Sequence, residues 1–142
     1  MKIVVGVDGS DHSRAALAFA AEEARAHQAR LQAVSAWHVA TAALSGPVAP
    51  PLAEMQSALE EAARTALAES IDGLEGGDQL EIESTVREGH PAEVLIELGQ
   101  DADLLVVGTR GLGGFRGVLL GSVSQHCAQH APCPTVVVPS GG

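Results

Sequence analysis

The chain has 142 residues, a formal net charge of −10 and a sequence pI near 4.8. So acidic a chain lacks the basic face that nucleic acid or an anionic membrane requires, and we expect neither partner. No apolar run approaches the ~20 residues of a membrane span, and Asp8 interrupts the apolar start, so we predict no signal peptide, a cytoplasmic location and a single domain over residues 1–142.

Short β-branched runs alternate with longer amphipathic stretches along the chain. Predicted strands cover residues 2–7, 31–37, 80–86, 104–107 and 135–138. Predicted helices cover residues 13–29, 51–71, 91–100 and 122–130, the first capped by Ser10 or Asp11. This alternation predicts an open, five-stranded parallel sheet with helices on both faces, which is the Rossmann-like α/β class.

Three of these elements allow finer predictions. Residues 80–83 alternate apolar with acidic side chains, which indicates a strand at or near a sheet edge. The helix over residues 51–71 should present one inward face, formed by Leu52, Met55, Leu59, Ala62, Ala66 and Leu67. Residues 135–138 contain three valines and no charge, so as an edge strand they would need a cover. We expect that cover to be the same strand of a second copy, paired antiparallel about a two-fold axis.

The segment after the fourth predicted strand is rich in glycine. Six glycines lie between residues 108 and 121. Backbone without Cβ atoms can adopt positive φ and bring its N–H groups close to a ligand. Gly121 and Ser122 then precede a helix, whose first N–H groups are unpaired and lie at the positive end of its dipole. The pattern favours a phosphate-binding loop, and a flexible connector is the plainer alternative.

Charge supports the phosphate interpretation. Residues 104–142 contain no Asp or Glu, although the chain has 18 acidic residues. Arg110 and Arg116 are their only charged side chains, so this part carries +2 and the rest carries −12. A phosphate meets the least repulsion there. The loop is not a P-loop, because that motif needs Gly-Lys-Ser/Thr and the only lysine is Lys2.

The spacing of these glycines has the form G-x2-G-x9-G-S, beginning at Gly108. Together with the opening IVVGVDGS at residues 3–10 and the closing APCPTVVVP at residues 131–139, it makes the whole chain resemble the universal stress protein family. ATP-binding members of that family use such a loop for ribose and phosphates. The resemblance implies strand order 3-2-1-4-5, an adenine nucleotide (ATP, ADP or AMP) with Mg²⁺ as ligand, and a homodimer through residues 135–138.

In that strand order the chain reverses direction between the first and fourth strands, and ligands bind outside the carboxyl ends of strands at such a switch point. The resemblance implies that Asp8, whose plainer role would be a helix cap, accepts hydrogen bonds from the adenine or ribose. Gly6 and Val7 would line the base, with Ala36 and Val86 as its floor. The predicted nucleotide site comprises Gly6, Val7, Asp8, Ala36, Val86, Gly108, Thr109, Arg110, Gly111, Gly113, Gly114, Gly121, Ser122, Val123 and Ser124. Of the two serines, we expect one to cap the helix and the other to contact phosphate.

Metal and catalytic chemistry receive little support from the sequence. His126 and His130 are spaced four residues apart, near Cys127 and Cys133, but no acidic ligand lies in residues 104–142 and the helix dipole accounts for a histidine there. We therefore assign no metal site and expect free thiols. No nucleophile elbow or other catalytic motif is present. The sequence predicts a regulatory module in which nucleotide occupancy is the signal. The alternatives are a slow ATPase or adenylyl-transferring enzyme, and a dimeric interaction module with an empty site.

Overall fold

A computed structural model describes residues 1–40, 51–110 and 120–140. Five parallel strands form one sheet in the order β3-β2-β1-β4-β5. The strands are β1 (Lys2–Gly6), β2 (Arg30–Trp37), β3 (Ile82–Glu88), β4 (Leu104–Gly108) and β5 (Thr135–Val138). The helices are α1 (Asp11–His27), α2 (Leu52–Asp72), α3 (Pro91–Gly99) and α4 (Ser122–His130). The predicted α/β class and strand order are confirmed.

The central strands are buried on both faces of the sheet. Val4 and Val5 of β1 have no exposed surface, and they point to opposite faces because side chains alternate along a strand. Val5 shares one buried cluster with Leu17 of α1, whereas Val4 shares the other with Leu95 of α3. Burying a side chain of this size contributes roughly 1.5–3 kcal/mol. Apolar packing on both faces therefore fixes the carboxyl ends of these strands, where the candidate site lies.

Element boundaries differ from the predictions where local hydrogen bonds intervene. α1 begins at Asp11 because Ser10 is its cap, the Ser13 N–H donating to Ser10 Oγ at 3.2 Å. β3 begins at Ile82, two residues later than predicted, because a 3₁₀ turn over Gly77–Gln79 precedes it and Leu80 N–H donates to the Gly77 carbonyl at 3.2 Å. The prediction that this strand lies at an edge is confirmed.

The buried residues of α2 lie in its second half, and the predicted inward face is wrong for Leu52, Leu59 and Ala62, which are exposed. Ala63, Leu67 and Ser70 are its buried residues, whereas Leu52 and Leu59 are 48% and 36% exposed. The 21 residues of this helix span about 31 Å, against about 23 Å for the seven residues of β3. A Cβ at Gly9, beyond the carboxyl end of β1, would lie 3.3 Å from the Cβ of Ala66, so the turns of α2 that precede Ala66 extend past the carboxyl edge of the sheet. Among the residues described, no helix combines the length and apolar character that a membrane span needs.

Candidate functional site

The carboxyl ends of β1 and β4 form the switch point of the sheet. β1 pairs with β2 on one side and with β4 on the other, Val5 lying opposite Val106. The chain leaves β1 into α1, which packs on one face, and leaves β4 toward α4, which packs on the other. Because α1 and α4 pack on opposite faces, the carboxyl ends of β1 and β4 lie at the crevice between the starts of these two helices, which is where open α/β sheets bind ligands.

A tight turn after β1 fixes the position of Asp8. Its Oδ1 atom accepts hydrogen bonds from the Ser10 N–H at 2.9 Å and the Ser10 hydroxyl at 2.5 Å. Gly9, between them, has φ of +85°, a conformation that residues with a Cβ rarely adopt. Ser10 caps the helix, so Asp8 is not the cap and instead orients the cap residue. The turn therefore holds a carboxylate at the mouth of the crevice.

The exit of β4 is fastened to the start of α4 through one residue, Thr109. Its carbonyl accepts the Gly121 N–H at 2.6 Å and the Ser124 hydroxyl at 2.8 Å. Its own N–H donates to the Val138 carbonyl at the end of β5, at 3.0 Å. Thr109 thus joins β4, α4 and β5 immediately before Arg110 and the glycine loop.

The start of α4 has no side-chain cap among the described residues. Gly121 occupies the cap position, and the predicted serine cap is wrong. Ser124 is 2% exposed, and its hydroxyl donates to the carbonyls of Thr109 and Gly121, while Ser122 is exposed. The first N–H groups of a helix left without a side-chain acceptor are suited to binding an anion.

His12, which no sequence motif marks, lies beside this junction. Its Nδ1 atom is 2.9 Å from the Thr109 hydroxyl, and its Nε2 atom is 3.3 Å from the Ser140 hydroxyl. The backbone of His12 also packs against Gly108, at which a Cβ would lie 2.6 Å from the His12 carbonyl oxygen. No motif links His12 to residues about a hundred positions further along the chain, so only the fold reveals these contacts.

The residues predicted to surround a base lie at the carboxyl ends of β1, β2 and β3, but not all on one face. Gly6 ends β1, and Val7 after it is 4% exposed. Ala36 packs with the cluster under α3 and α4, whereas Val86 packs with the cluster under α1 and α2. In the register of these strands Val86 lies opposite Ser35. The structure therefore brings Asp8, Gly108, Thr109 and Gly121 to one crevice and separates the side chains of Ala36 and Val86.

Several predicted residues add little to this geometry. Val123 is half-buried and packs with the cluster under α3 and α4. Arg110 is also half-buried. Gly111, Gly113 and Gly114 lie outside the described residues.

The two cysteines are free thiols in an apolar setting. Burial, with the neighbouring charge of Cys133 as a smaller cause, raises the pKa of Cys127 to about 11. Burial and the charge of Asp103 raise the pKa of Cys133 as well. Both thiols stay protonated at neutral pH and are weak nucleophiles. Within residues 1–40, 51–110 and 120–140, no three His, Cys, Asp or Glu side chains come together as a metal site.

Comparison with known proteins identifies the family. The family model described as "Universal stress protein family" matches residues 1–139. The chain belongs to the universal stress protein family. A universal stress protein from Thermus aquaticus is 38% identical over 138 residues, which cover 96% of each chain. This agreement along the whole length shows that the family pattern is not confined to the glycine loop.

Solved structures of the family share the fold. UspA from Lactobacillus plantarum superposes with a TM-score of 0.81 at 27% identity, covering 97% of each chain. A universal stress protein solved in complex with cAMP has a TM-score of 0.72 at 31% identity, covering 99% of this chain and 98% of its own. A relative with this fold therefore binds an adenine nucleotide.

Proposed function

We propose that this protein binds an adenine nucleotide at the β1/β4 crevice and acts in the cytoplasm as a regulatory stress-response module, with occupancy of the site as its signal. The observation that carries the proposal is the junction at Thr109, next to the turn that holds Asp8. There the exit of β4 meets the start of α4, which has no side-chain cap within the described part of the chain. Helix N–H groups suit phosphate, and a carboxylate suits the hydroxyl or amino donors of a nucleoside. A relative that was solved with cAMP supports this class of ligand.

The ligand we favour is ATP, with ADP or AMP as the other candidates and Mg²⁺ as counter-ion to the phosphates. The start of α4 and the backbone around Gly108 would contact phosphate, as would the loop that begins at Arg110. Gly6 and Val7 would lie along the base, with Ala36 and Val86 at the neighbouring strand ends. In this assignment residues 104–142, which carry no acid, surround the anionic part of the ligand.

Replacing Gly121 tests the phosphate assignment without straining the backbone. Gly121 has φ −75° and ψ 172°, which alanine adopts freely, so the substitution adds a methyl group at the start of α4 without backbone strain. We expect Gly121→Ala to weaken ATP binding about tenfold to a hundredfold, the cost of one charge-assisted hydrogen bond to phosphate. Isothermal titration with ATP and MgCl₂ measures the effect.

Gly73→Ala is the matched control for that experiment. Gly73 ends α2 far from the crevice, and its Cβ would make only ordinary contact, 3.4 Å from the Glu69 carbonyl oxygen. We expect it to bind ATP as tightly as the unmodified protein. Equal affinity in Gly121→Ala and Gly73→Ala, with both folded by circular dichroism, would contradict the assignment of phosphate to α4.

We expect ATP hydrolysis to be slow or absent. Efficient phosphoryl transfer needs a positioned base or a lysine together with cationic groups on the transferred phosphate, and the only lysine, Lys2, starts β1 at the opposite edge of the sheet. Phosphate release should stay far below the 1–100 s⁻¹ that is typical of kinases. A colorimetric phosphate assay with Mg²⁺ measures it. Fast turnover that disappears in Asp8→Asn would favour an enzyme instead.

We also propose that the protein is a homodimer through β5. This strand is an edge of the sheet, and its residues Thr135–Val138 are half-buried and uncharged. An edge with these properties pairs readily with another strand, and a second copy offers a matching partner about a two-fold axis.

A further inference from the structure

His12 lies between two hydroxyl groups from distant parts of the chain. Its Nδ1 atom meets the Thr109 hydroxyl at 2.9 Å, and its Nε2 atom meets the Ser140 hydroxyl at 3.3 Å. A neutral imidazole has one donor and one acceptor nitrogen, and a hydroxyl can take either role, so both contacts form together. The ring is therefore held at both ends, although it lies in the first turn of α1, on the other face of the sheet from α4.

The Thr109 contact has consequences beyond α1. All the backbone polar groups of Thr109 are used: its N–H donates to Val138, and its carbonyl receives Gly121 and Ser124. A rotation of this residue would move the carbonyl that holds the α4 start and would redirect the chain into Arg110. The His12 ring contacts the Thr109 hydroxyl from the α1 side of the crevice and so helps to hold Thr109 in place.

We infer that His12 is a positioning residue for nucleotide binding, acting through its Nδ1 contact with Thr109 to keep the start of α4 in place for phosphate. The inference rests on the proposed function and deepens it, because it assigns a specific role to a residue outside the glycine loop. The two contacts of the ring differ in role: the Nδ1 contact with Thr109 supports the site, and the Nε2 contact with Ser140 does not.

Two substitutions test the Nδ1 and Nε2 contacts of His12 separately. The amide of Asn carries its polar atoms at the δ position, near that of Nδ1, whereas the amide of Gln carries them at the ε position, near that of Nε2. His12→Asn can therefore keep the Thr109 contact, and His12→Gln can keep the contact with Ser140. His12→Phe keeps the ring shape and removes both contacts.

We expect His12→Gln and His12→Phe to weaken ATP binding about threefold to tenfold, the net effect of one lost hydrogen bond, while His12→Asn stays within about twofold of the unmodified protein. In a Thr109→Val background His12→Phe should cause no further loss, because the contact is already absent. Ser140→Ala should leave affinity within about twofold. Titration with ATP and MgCl₂ provides all of these values, with thermal unfolding as the check that each variant is folded.

Hydrogen exchange in the ligand-free protein tests whether His12 acts on the start of α4 through Thr109. The Gly121 N–H donates to the Thr109 carbonyl, so its hydrogen exchange should be faster in His12→Gln and His12→Phe than in His12→Asn and the unmodified protein. Nuclear magnetic resonance resolves this single amide without any nucleotide present.

The outcomes separate the two proposals. Failure of the unmodified protein to bind ATP would overturn the proposed function, and His12 would lose its role with it. Normal binding in the unmodified protein with equal losses in the Asn and Gln variants, or with none in either, would overturn the role of His12 alone. Equal losses in Ser140→Ala and Thr109→Val would likewise contradict the route through Thr109.

Discussion

Gly108→Ala is expected to destabilise the fold by about 1–3 kcal/mol, which is the usual cost of forcing extra volume into a packed interior. A Cβ at this position would lie 2.6 Å from the carbonyl oxygen of His12 and 2.7 Å from its carbonyl carbon. Both are backbone atoms of α1, so relief requires the helix to move away from β4. The midpoint of urea unfolding should fall with an unchanged slope.

Gly6→Ala is the matched control, because it adds the same methyl group at the end of the neighbouring strand. Its Cβ would lie 2.9 Å from Cδ1 of Leu95, the far end of a side chain that can rotate. We expect a smaller loss than in Gly108→Ala, because the end of a side chain can shift where helix backbone cannot. An unfolding midpoint for Gly108→Ala at or above that of Gly6→Ala would show that α1 accommodates the methyl group, and would contradict the close packing of His12 on β4.

The packing of His12 against Gly108 gives the first glycine of the pattern a structural role. Gly108 is the first glycine of the G-x2-G-x9-G-S spacing, and its small size is already required by the approach of α1. A loss of ATP binding in Gly108→Ala would therefore follow from a displaced His12 as readily as from a blocked phosphate. Gly121, which has an ordinary extended conformation, gives the cleaner test of ligand approach.

Most of the fold could be predicted from local patterns. Apolar runs and helical stripes gave five strands and four helices near their observed positions, since burial on one or both faces leaves a direct mark on the sequence. The strand order could not be predicted from such local patterns. Periodicity does not say which strands are neighbours, and the order came from the resemblance to the universal stress protein family.

The parts that could not be predicted depend on long-range contacts. The first half of α2 has an apolar stripe like that of its second half, but it extends past the sheet, so Leu59 remains exposed. The Ser124 hydroxyl does not cap α4, because it donates to the Thr109 carbonyl, and the position of that carbonyl depends on the fold. His12 meets Thr109 only because α1 crosses β4. Each depends on the relative placement of elements, which a local pattern does not contain.

The direction of the backbone groups in β5 makes the dimer proposal specific. The carbonyls of Pro134 and Val138 accept the N–H groups of Leu105 and Thr109, so they point toward β4. Backbone groups alternate in direction along a strand that pairs on one side. Those of Thr135 and Val137 therefore point away from β4, to the free edge of the sheet.

This outward row is short. Pro139 follows the strand and has no N–H, and the Cys133 carbonyl before the strand accepts the Thr135 hydroxyl at 3.2 Å. Antiparallel pairing of Thr135 with Val137 of a second copy would form about four ladder hydrogen bonds around the two-fold axis. A row of two residues bounded in this way favours a closed pair over an extending sheet.

Val137→Pro is therefore expected to give a monomer that is still folded. Proline at residue 137 removes the outward N–H in both copies, about half of the ladder, while the bonds to β4 from residues 136 and 138 remain. Losing two hydrogen bonds and leaving their acceptors unpaired should raise the dimer dissociation constant at least about thirtyfold. Sedimentation velocity at micromolar concentration measures the change, with Val137→Thr, which keeps the N–H and the branched side chain, as the control that should remain dimeric. A monomer for the unmodified protein, or a dimer for Val137→Pro that matches the control, would exclude β5 as the interface and would mean that this edge has another cover.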